Sequence, residues 1–229
     1  LVGNKIEQDD TQNGRVFRLL NEGSPTTPRF REAGTLEVGG GYHLVPAFGD
    51  LDGDGDLDAI LGSWSDEMRL LRNDATDGGV ELVLADSAAV TLSRGRNATP
   101  TLGDLDLIAG EASGTLNYWE NTGSANNPVF TLVSDEYADI DVGRRSLPVL
   151  RDHDADGDLD LIVGSEGEGL RLFRNVGTPS APDFVEDGTL TVPVVQFAAP
   201  AFADLDGDGD DDLMLGSQRG GLWYLEAVG

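Results

Sequence analysis

Three stretches of this sequence place aspartate at every second position around a glycine. In Asp50-Leu-Asp-Gly-Asp-Gly-Asp-Leu-Asp58, the carboxylates of Asp50, Asp52, Asp54, Asp56 and Asp58 stand at loop positions 1, 3, 5, 7 and 9, with Gly55 at position 6. The order recurs as Asp152, Asp154, Asp156, Asp158 and Asp160 turning at Gly157, and as Asp204, Asp206, Asp208, Asp210 and Asp212 turning at Gly209. This spacing suits a hard, oxygen-seeking cation. Side chains at positions 1, 3 and 5 converge, the glycine permits a sharp bend, and position 7 offers its backbone carbonyl. Helix-flanked calcium loops close with a bidentate Glu at position 12. Here position 12 of the first loop is Leu61, so the closing carboxylate is assigned to position 9, and the loop joins two strands. Without an ion, carboxylates this close repel one another strongly. Mg²⁺ suits the site less well, because it demands strict octahedral geometry and dehydrates reluctantly. The expected cofactor is Ca²⁺, one ion in each of three intact loops.

The elements that hold these loops are written in a repeat of about fifty residues. A Pro precedes an Asp by four residues at Pro46/Asp50, Pro100/Asp104, Pro148/Asp152 and Pro200/Asp204. A second signature sets Gly two, Pro seven and Phe nine residues after an Asn: Asn21/Gly23/Pro28/Phe30, Asn121/Gly123/Pro128/Phe130 and Asn175/Gly177/Pro182/Phe184. Self-similarity at such a period marks a repeat architecture. Between the signatures lie short apolar or alternating runs such as Asp58-Ala-Ile-Leu-Gly62 and Leu170-Arg-Leu-Phe-Arg174, of strand length and too short for helices. One unit reads as a strand into the Asp loop, a strand out of it ending in Gly, a strand ending at Asn, and an outer strand near Pro-x-Phe. Four strands per unit make a propeller blade. The fold class is therefore all-β, a β-propeller of four-stranded antiparallel blades, with about five blades in one domain over 1–229. The blade segments run approximately 1–45, 46–99, 100–147, 148–199 and 200–229.

One unit departs from the rest. Gly103-Asp-Leu-Asp-Leu-Ile-Ala-Gly110 reads like the others with a Gly-Asp-Gly-Asp-Leu-Asp hexapeptide removed, which leaves a fourth metal site near Asp104 and Asp106 open and little room for the chain to turn. The second unit departs as well, because Asn73 lacks the following Gly, Pro and Phe. At the ends, Leu1-Val-Gly3 matches the strand after an Asp loop, and 221–229 matches the strand that ends near Asn. The first blade thus lacks its opening strand and the last its outer one. The chain reads as trimmed at its start, and further chain or blades are compatible with the pattern.

The 15 basic residues against 42 acidic ones leave a formal charge of −27, which argues against nucleic-acid partners and anionic membrane surfaces. There is no Cys, hence no disulfide, thiolate metal site or Cys nucleophile. No apolar run approaches the length of a membrane span, so no membrane insertion is expected. His43 and His153 are the only histidines, and His153 falls at loop position 2, aimed away from the ion. A carboxylate on Ca²⁺ is held ionised and makes a poor proton donor, and no nucleophile or phosphate loop is visible. The chain is expected to be non-catalytic. Trp64, Trp119, Trp223, Tyr118 and Tyr224 are expected mostly to fill the space between sheets, although sugar stacking is the alternative use. In Trp223-Tyr224 the two rings point to opposite faces of a strand.

The pattern P-x-F-x-D-x-D-G-D-G-x-x-D-L-x-x-G resembles the FG-GAP repeat of integrin α-subunit propellers and the related VCBS repeats of secreted bacterial and fungal proteins. The resemblance covers nearly the whole chain. It implies a propeller whose Ca²⁺ loops lie between the first two strands of each blade, in an extracellular setting. It also implies a role in recognition of a protein or glycan ligand or in adhesion, with a lectin or an accessory domain of a polysaccharide-active enzyme as the alternative.

Overall fold

The computed structural model describes residues 2–3, 15–24, 27–36, 38, 41–75, 79–103, 106–124, 126–167, 169–193, 196–217 and 221–227. Five antiparallel sheets follow one another along the chain. The first holds β1 (Val2–Gly3), β2 (Val16–Asn21) and β3 (Phe30–Leu36). The second holds β4 (Val45–Gly49), β5 (Asp58–Gly62), β6 (Glu67–Asn73) and β7 (Leu82–Thr91). The third holds β8 (Thr99–Gly103), β9 (Asp106–Gly110), β10 (Leu116–Asn121) and β11 (Phe130–Ser134). The fourth holds β12 (Leu147–Arg151), β13 (Asp160–Gly164), β14 (Leu170–Asn175) and β15 (Phe184–Leu190). The fifth holds β16 (Ala199–Ala203), β17 (Asp212–Gly216) and β18 (Leu222–Leu225). The expected all-β propeller is observed. Among the described residues the helical backbone is confined to one 3-10 turn at Tyr137–Asp139.

The inner strands β4, β8, β12 and β16 line one axial cavity of about 310 Å³. Each pairs on one side only, so its other edge faces the axis. Pro46, Pro100, Pro148 and Pro200 sit on those strands, where a missing N–H costs no ladder bond and keeps the edge from pairing further. The first sheet contributes no inner strand, so four blades surround the axis at its centre.

In the second strand of blades two to five, the three residues between the opening Asp and the closing Gly are all apolar, because both faces of the strand are covered. Ala59 and Leu61 enter the core between the first and second sheets, while Ile60 between them enters the core shared with the third. Likewise Leu107 and Ala109 face the second sheet while Ile108 faces the fourth, and Leu161 and Val163 face the third while Ile162 faces the fifth. The period of two along a strand thus becomes a chain of cores between blades. The glycine ending these strands is required by close approach. A Cβ on Gly62, Gly110 or Gly164 would stand 2.1, 2.2 or 1.8 Å from the carbonyl oxygen of Ala98, Ser146 or Ala198, where the next blade begins.

The Asn signature has an equally local cause. The Oδ1 of Asn21 accepts from the N–H groups of Gly23 and Arg29, both at 2.9 Å, which folds the turn before the outer strand. Asn121 and Asn175 do the same two and eight residues on. Asn73 keeps the longer bond, to Glu81 N–H at 2.8 Å, so the second blade builds its outer strand without the full motif.

The shortened third loop corrects the expectation that the strands would lack room to turn. Gly103 pairs with Asp106, so residues 104 and 105 alone link β8 to β9, a connection of hairpin length. Asp104 itself lies outside the described residues. The aromatic expectation is also corrected. Trp119 is buried at 3% exposure, but Trp64, Trp223 and Tyr224 are 42%, 49% and 37% exposed.

Candidate metal centres

Each intact Asp loop joins the first two strands of a blade, and the position-1 aspartate organises it. Asp50 accepts from Gly53 N–H at 2.6 Å and Gly55 N–H at 3.2 Å, and Asp204 accepts from Gly207 and Gly209 at the same two distances. Asp152 accepts from Asp156 N–H at 3.2 Å and Gly157 N–H at 3.1 Å. The position-6 glycines carry the bend, with φ of 96°, 101° and 99° at Gly55, Gly157 and Gly209. Such positive values are strained for any residue with a Cβ. At position 4, Ala155 takes φ 60° where Gly53 and Gly207 stand in the other loops.

Position 9 is buried and tied to the sheet. Asp58 is fully buried, accepting from Leu51 N–H and Asn73 N–H, both at 2.9 Å. Asp160 accepts from His153 N–H at 3.0 Å and Asn175 N–H at 2.7 Å. Asp212 accepts from Leu205 N–H at 3.1 Å and Ala227 N–H at 3.0 Å. His153 therefore serves the loop through its backbone. Position 5 folds back locally, because Asp54, Asp156 and Asp208 each accept from the N–H of the residue two on.

These constraints gather carboxylate oxygens within 4.8 Å of one another in three triads: Asp50, Asp52 and Asp58; Asp152, Asp154 and Asp160; Asp204, Asp206 and Asp208. In the first two, position 9 completes the set as expected. In the third, position 5 does so, while Tyr224 Oη donates to Asp212 at 3.1 Å. Asp54, Asp56, Asp156, Asp158, Asp210 and Asp212 lie in the same loops outside the triads.

Two further observations fit a cation. Asp52 Oδ1, Asp56 Oδ1 and Asp158 Oδ1 are buried without a hydrogen-bond partner, which an uncompensated carboxylate tolerates poorly. Asp52, Asp56, Asp158 and Asp206 all titrate above the ordinary carboxylate range, chiefly through loss of solvent and then through neighbouring aspartates. The fold thus concentrates negative charge that it leaves partly uncompensated. The donor set is all oxygen, the chemistry of a hard divalent ion.

Sequence reasoning missed the third-strand residues that adjust this charge. Arg72 reaches Asp58 at 2.9 Å and Asp52 at 3.3 Å, and Arg174 reaches Asp154 at 3.2 Å. Both stand fourteen residues after the position-9 aspartate, where the third and fifth blades carry Glu120 and Glu226. Those blades instead place a tyrosine twelve residues on: Tyr118 Oη donates to Asp106 at 2.6 Å, as Tyr224 does to Asp212. Burial and that bond push the Tyr224 phenol up to about 12. The signal lay in the register, readable once the repeats are aligned on the last aspartate.

Residues 152–215, from the first aspartate of the fourth blade through the second strand of the fifth, match the FG-GAP-like repeat. The molecule is a β-propeller that carries an FG-GAP-like repeat. No curated protein matches the sequence. Within this propeller, the matched segment contains two of the three carboxylate triads and the strands β13 to β16 that connect them.

Proposed function

We propose that the protein is a calcium-binding, non-catalytic propeller for ligand recognition or adhesion, folded as a single domain and working outside the cell. The observation that carries the reading is the threefold recurrence of a carboxylate triad with oxygens within 4.8 Å, built each time on loop positions 1 and 3 and completed by position 9 or position 5. Ca²⁺ held there by Asp50, Asp52 and Asp58, by Asp152, Asp154 and Asp160, and by Asp204, Asp206 and Asp208 would supply charge neutralisation and would pin the turn between the first two strands. Millimolar calcium, as found outside cells, matches the affinity range of extracellular modules, roughly 10⁻⁴ to 10⁻³ M. The acidic surface and the FG-GAP-like repeat support a recognition role. Among the described residues no helix is long and apolar enough to cross a membrane.

Thermal unfolding tests this directly. At those affinities about 1 mM Ca²⁺ contributes roughly 0.4 to 1.4 kcal/mol per site. For three sites the Tm is expected to fall by about 3 to 15 °C on adding EDTA. An identical melt in calcium and in EDTA would overturn the metal assignment. A second reading, glycan binding, draws on the exposure of Trp64 and Trp223 at 42% and 49%. Saturable binding on a glycan array, lost in Trp64→Ala or Trp223→Ala, would favour it.

A further inference from the structure

A cavity of about 250 Å³ lies between the third blade and the fourth, where Gly103 and Asp106 bound the short connection. The neighbouring interface is filled differently. Between the second and third blades, Asn126 of the turn before β11 packs its side chain against Gly53 of the full Asp loop. The residue matching Asn126 in the fourth blade is Ser180, fifty-four residues on, and it shares a cavity with Gly103 and Asp106 of the third blade. Ser180 lines the cavity instead of packing on a loop.

The walls are aromatic and acidic. Tyr118 and Tyr137 stack with centroids 4.6 Å apart, and Phe184 meets Tyr137 edge-on at 6.1 Å. All three line the cavity together with Asp106, and among the described residues no lysine, arginine or histidine does. The polar groups are largely spent within the protein. Asp106 accepts from Tyr118 Oη at 2.6 Å and Asn121 N–H at 2.8 Å, and Asn175 Oδ1 accepts from two backbone N–H groups. A ligand that needs several directional hydrogen bonds finds few here. One that needs a negative charge and π-electron faces finds both. The formal −27 of the chain raises the local concentration of cations further.

We propose that this cleft is a binding site for an organic ammonium group, either a free alkylamine or a lysine side chain of a partner protein. This names a ligand class for the recognition role proposed above and uses none of the triad carboxylates.

The test is calorimetric titration of the calcium-loaded protein at 150 mM NaCl with butylammonium chloride and with a short lysine peptide, the acetyl-lysine peptide serving as control. The expected result is saturable binding with Kd on the order of 1 mM for at least one ammonium probe, and none for the acetylated peptide. Binding of butylammonium alone assigns small amines, and binding of the peptide alone or more tightly assigns a protein partner. Tyr137→Leu, which keeps an apolar side chain, is expected to weaken binding about five-fold, and Asp106→Asn about ten-fold. Ser180→Trp, an exposed position, fills the cleft and is expected to abolish binding with the melt unchanged. Absence of saturable binding by both ammonium probes would overturn the proposal, as would unchanged affinity in Tyr137→Leu and Ser180→Trp. Calcium titration of the same samples separates the two readings. Retained calcium with no ammonium binding sinks this proposal alone, and ammonium binding without calcium sinks the metal assignment alone.

Discussion

The second and third blades share every strand but differ in the connection between the first two, and the difference separates two jobs within the acidic loop. In the second blade nine residues run from Asp50 to Asp58, and in the third two residues link Gly103 to Asp106. Of the two aspartates that survive the shortening, Asp104 and Asp106, the last one lies among the described residues. Asp106 Oδ1 accepts from Asn121 N–H as Asp58 Oδ1 accepts from Asn73 N–H, fifteen residues on in both cases. The final carboxylate thus belongs to the sheet, where it holds the start of the turn after the third strand. The aspartates of positions 3, 5 and 7 are the ones the third blade does without, which marks them as dispensable to the sheet and free to serve the proposed ion.

Substitution of the last aspartate in each blade gives the largest effect. Asp58→Ala strands two buried N–H groups and Arg72, and is expected to cost about 3 to 5 kcal/mol in calcium, with a smaller loss in EDTA. Asp106→Ala strands Asn121 N–H and Tyr118 Oη, and is expected to cost about 2 to 3 kcal/mol equally in both conditions. Denaturant melts of the four samples check this. A calcium-dependent penalty for Asp106→Ala would break the division of labour.

A smaller effect sharpens the comparison among the intact loops. Ala155 occupies the left-handed position that glycine holds in the other two. Ala155→Gly is expected to stabilise the chain by about 0.5 to 1 kcal/mol, since relief of the Cβ clash outweighs the added chain entropy. A destabilised variant would show that the Ala155 methyl makes a contact worth more than its strain.

The acid range gives a contrast of sign. Loss of solvent and neighbouring aspartates hold Asp52, Asp56, Asp158 and Asp206 above the usual aspartate value in the metal-free fold, so the folded state binds protons more readily than the unfolded chain. Their contribution to stability is therefore most favourable below the ordinary carboxylate range and is lost as the pH rises through the folded values. The metal-free protein is expected to lose stability as the pH climbs from about 4, while the increment added by calcium grows as the ligands ionise. Melts at several pH values with and without EDTA would show the two curves diverging. Parallel curves would mean that the loops titrate without reference to an ion.

Much of this was legible in the sequence because each repeated residue answers one hydrogen bond or one close contact. The Asn-x-Gly signature is an Oδ1 accepting two N–H groups, the strand-ending glycine is a carbonyl within about 2 Å of a would-be Cβ, and the inner-strand proline is an edge with no partner. Such local chemistry survives in a single chain without comparison to others. What escaped depends on contacts between units. Arg72 and Arg174 carry no motif of their own and act only through the register that sets them beside the loop. Trp64 and Trp119 read alike in sequence, yet only Trp119 falls between sheets. The cavity at the third blade lies between the short connection of one blade and a turn of the next, which no single segment reveals.

The most direct measurement is the number of calcium ions per chain, from equilibrium dialysis with elemental analysis at millimolar Ca²⁺. Three carboxylate triads and a third blade stripped of its loop predict three ions per molecule, falling to two in Asp50→Ala. A count of zero would contradict the account. So would four, which would place an ion on the blade whose loop keeps only Asp104 and Asp106.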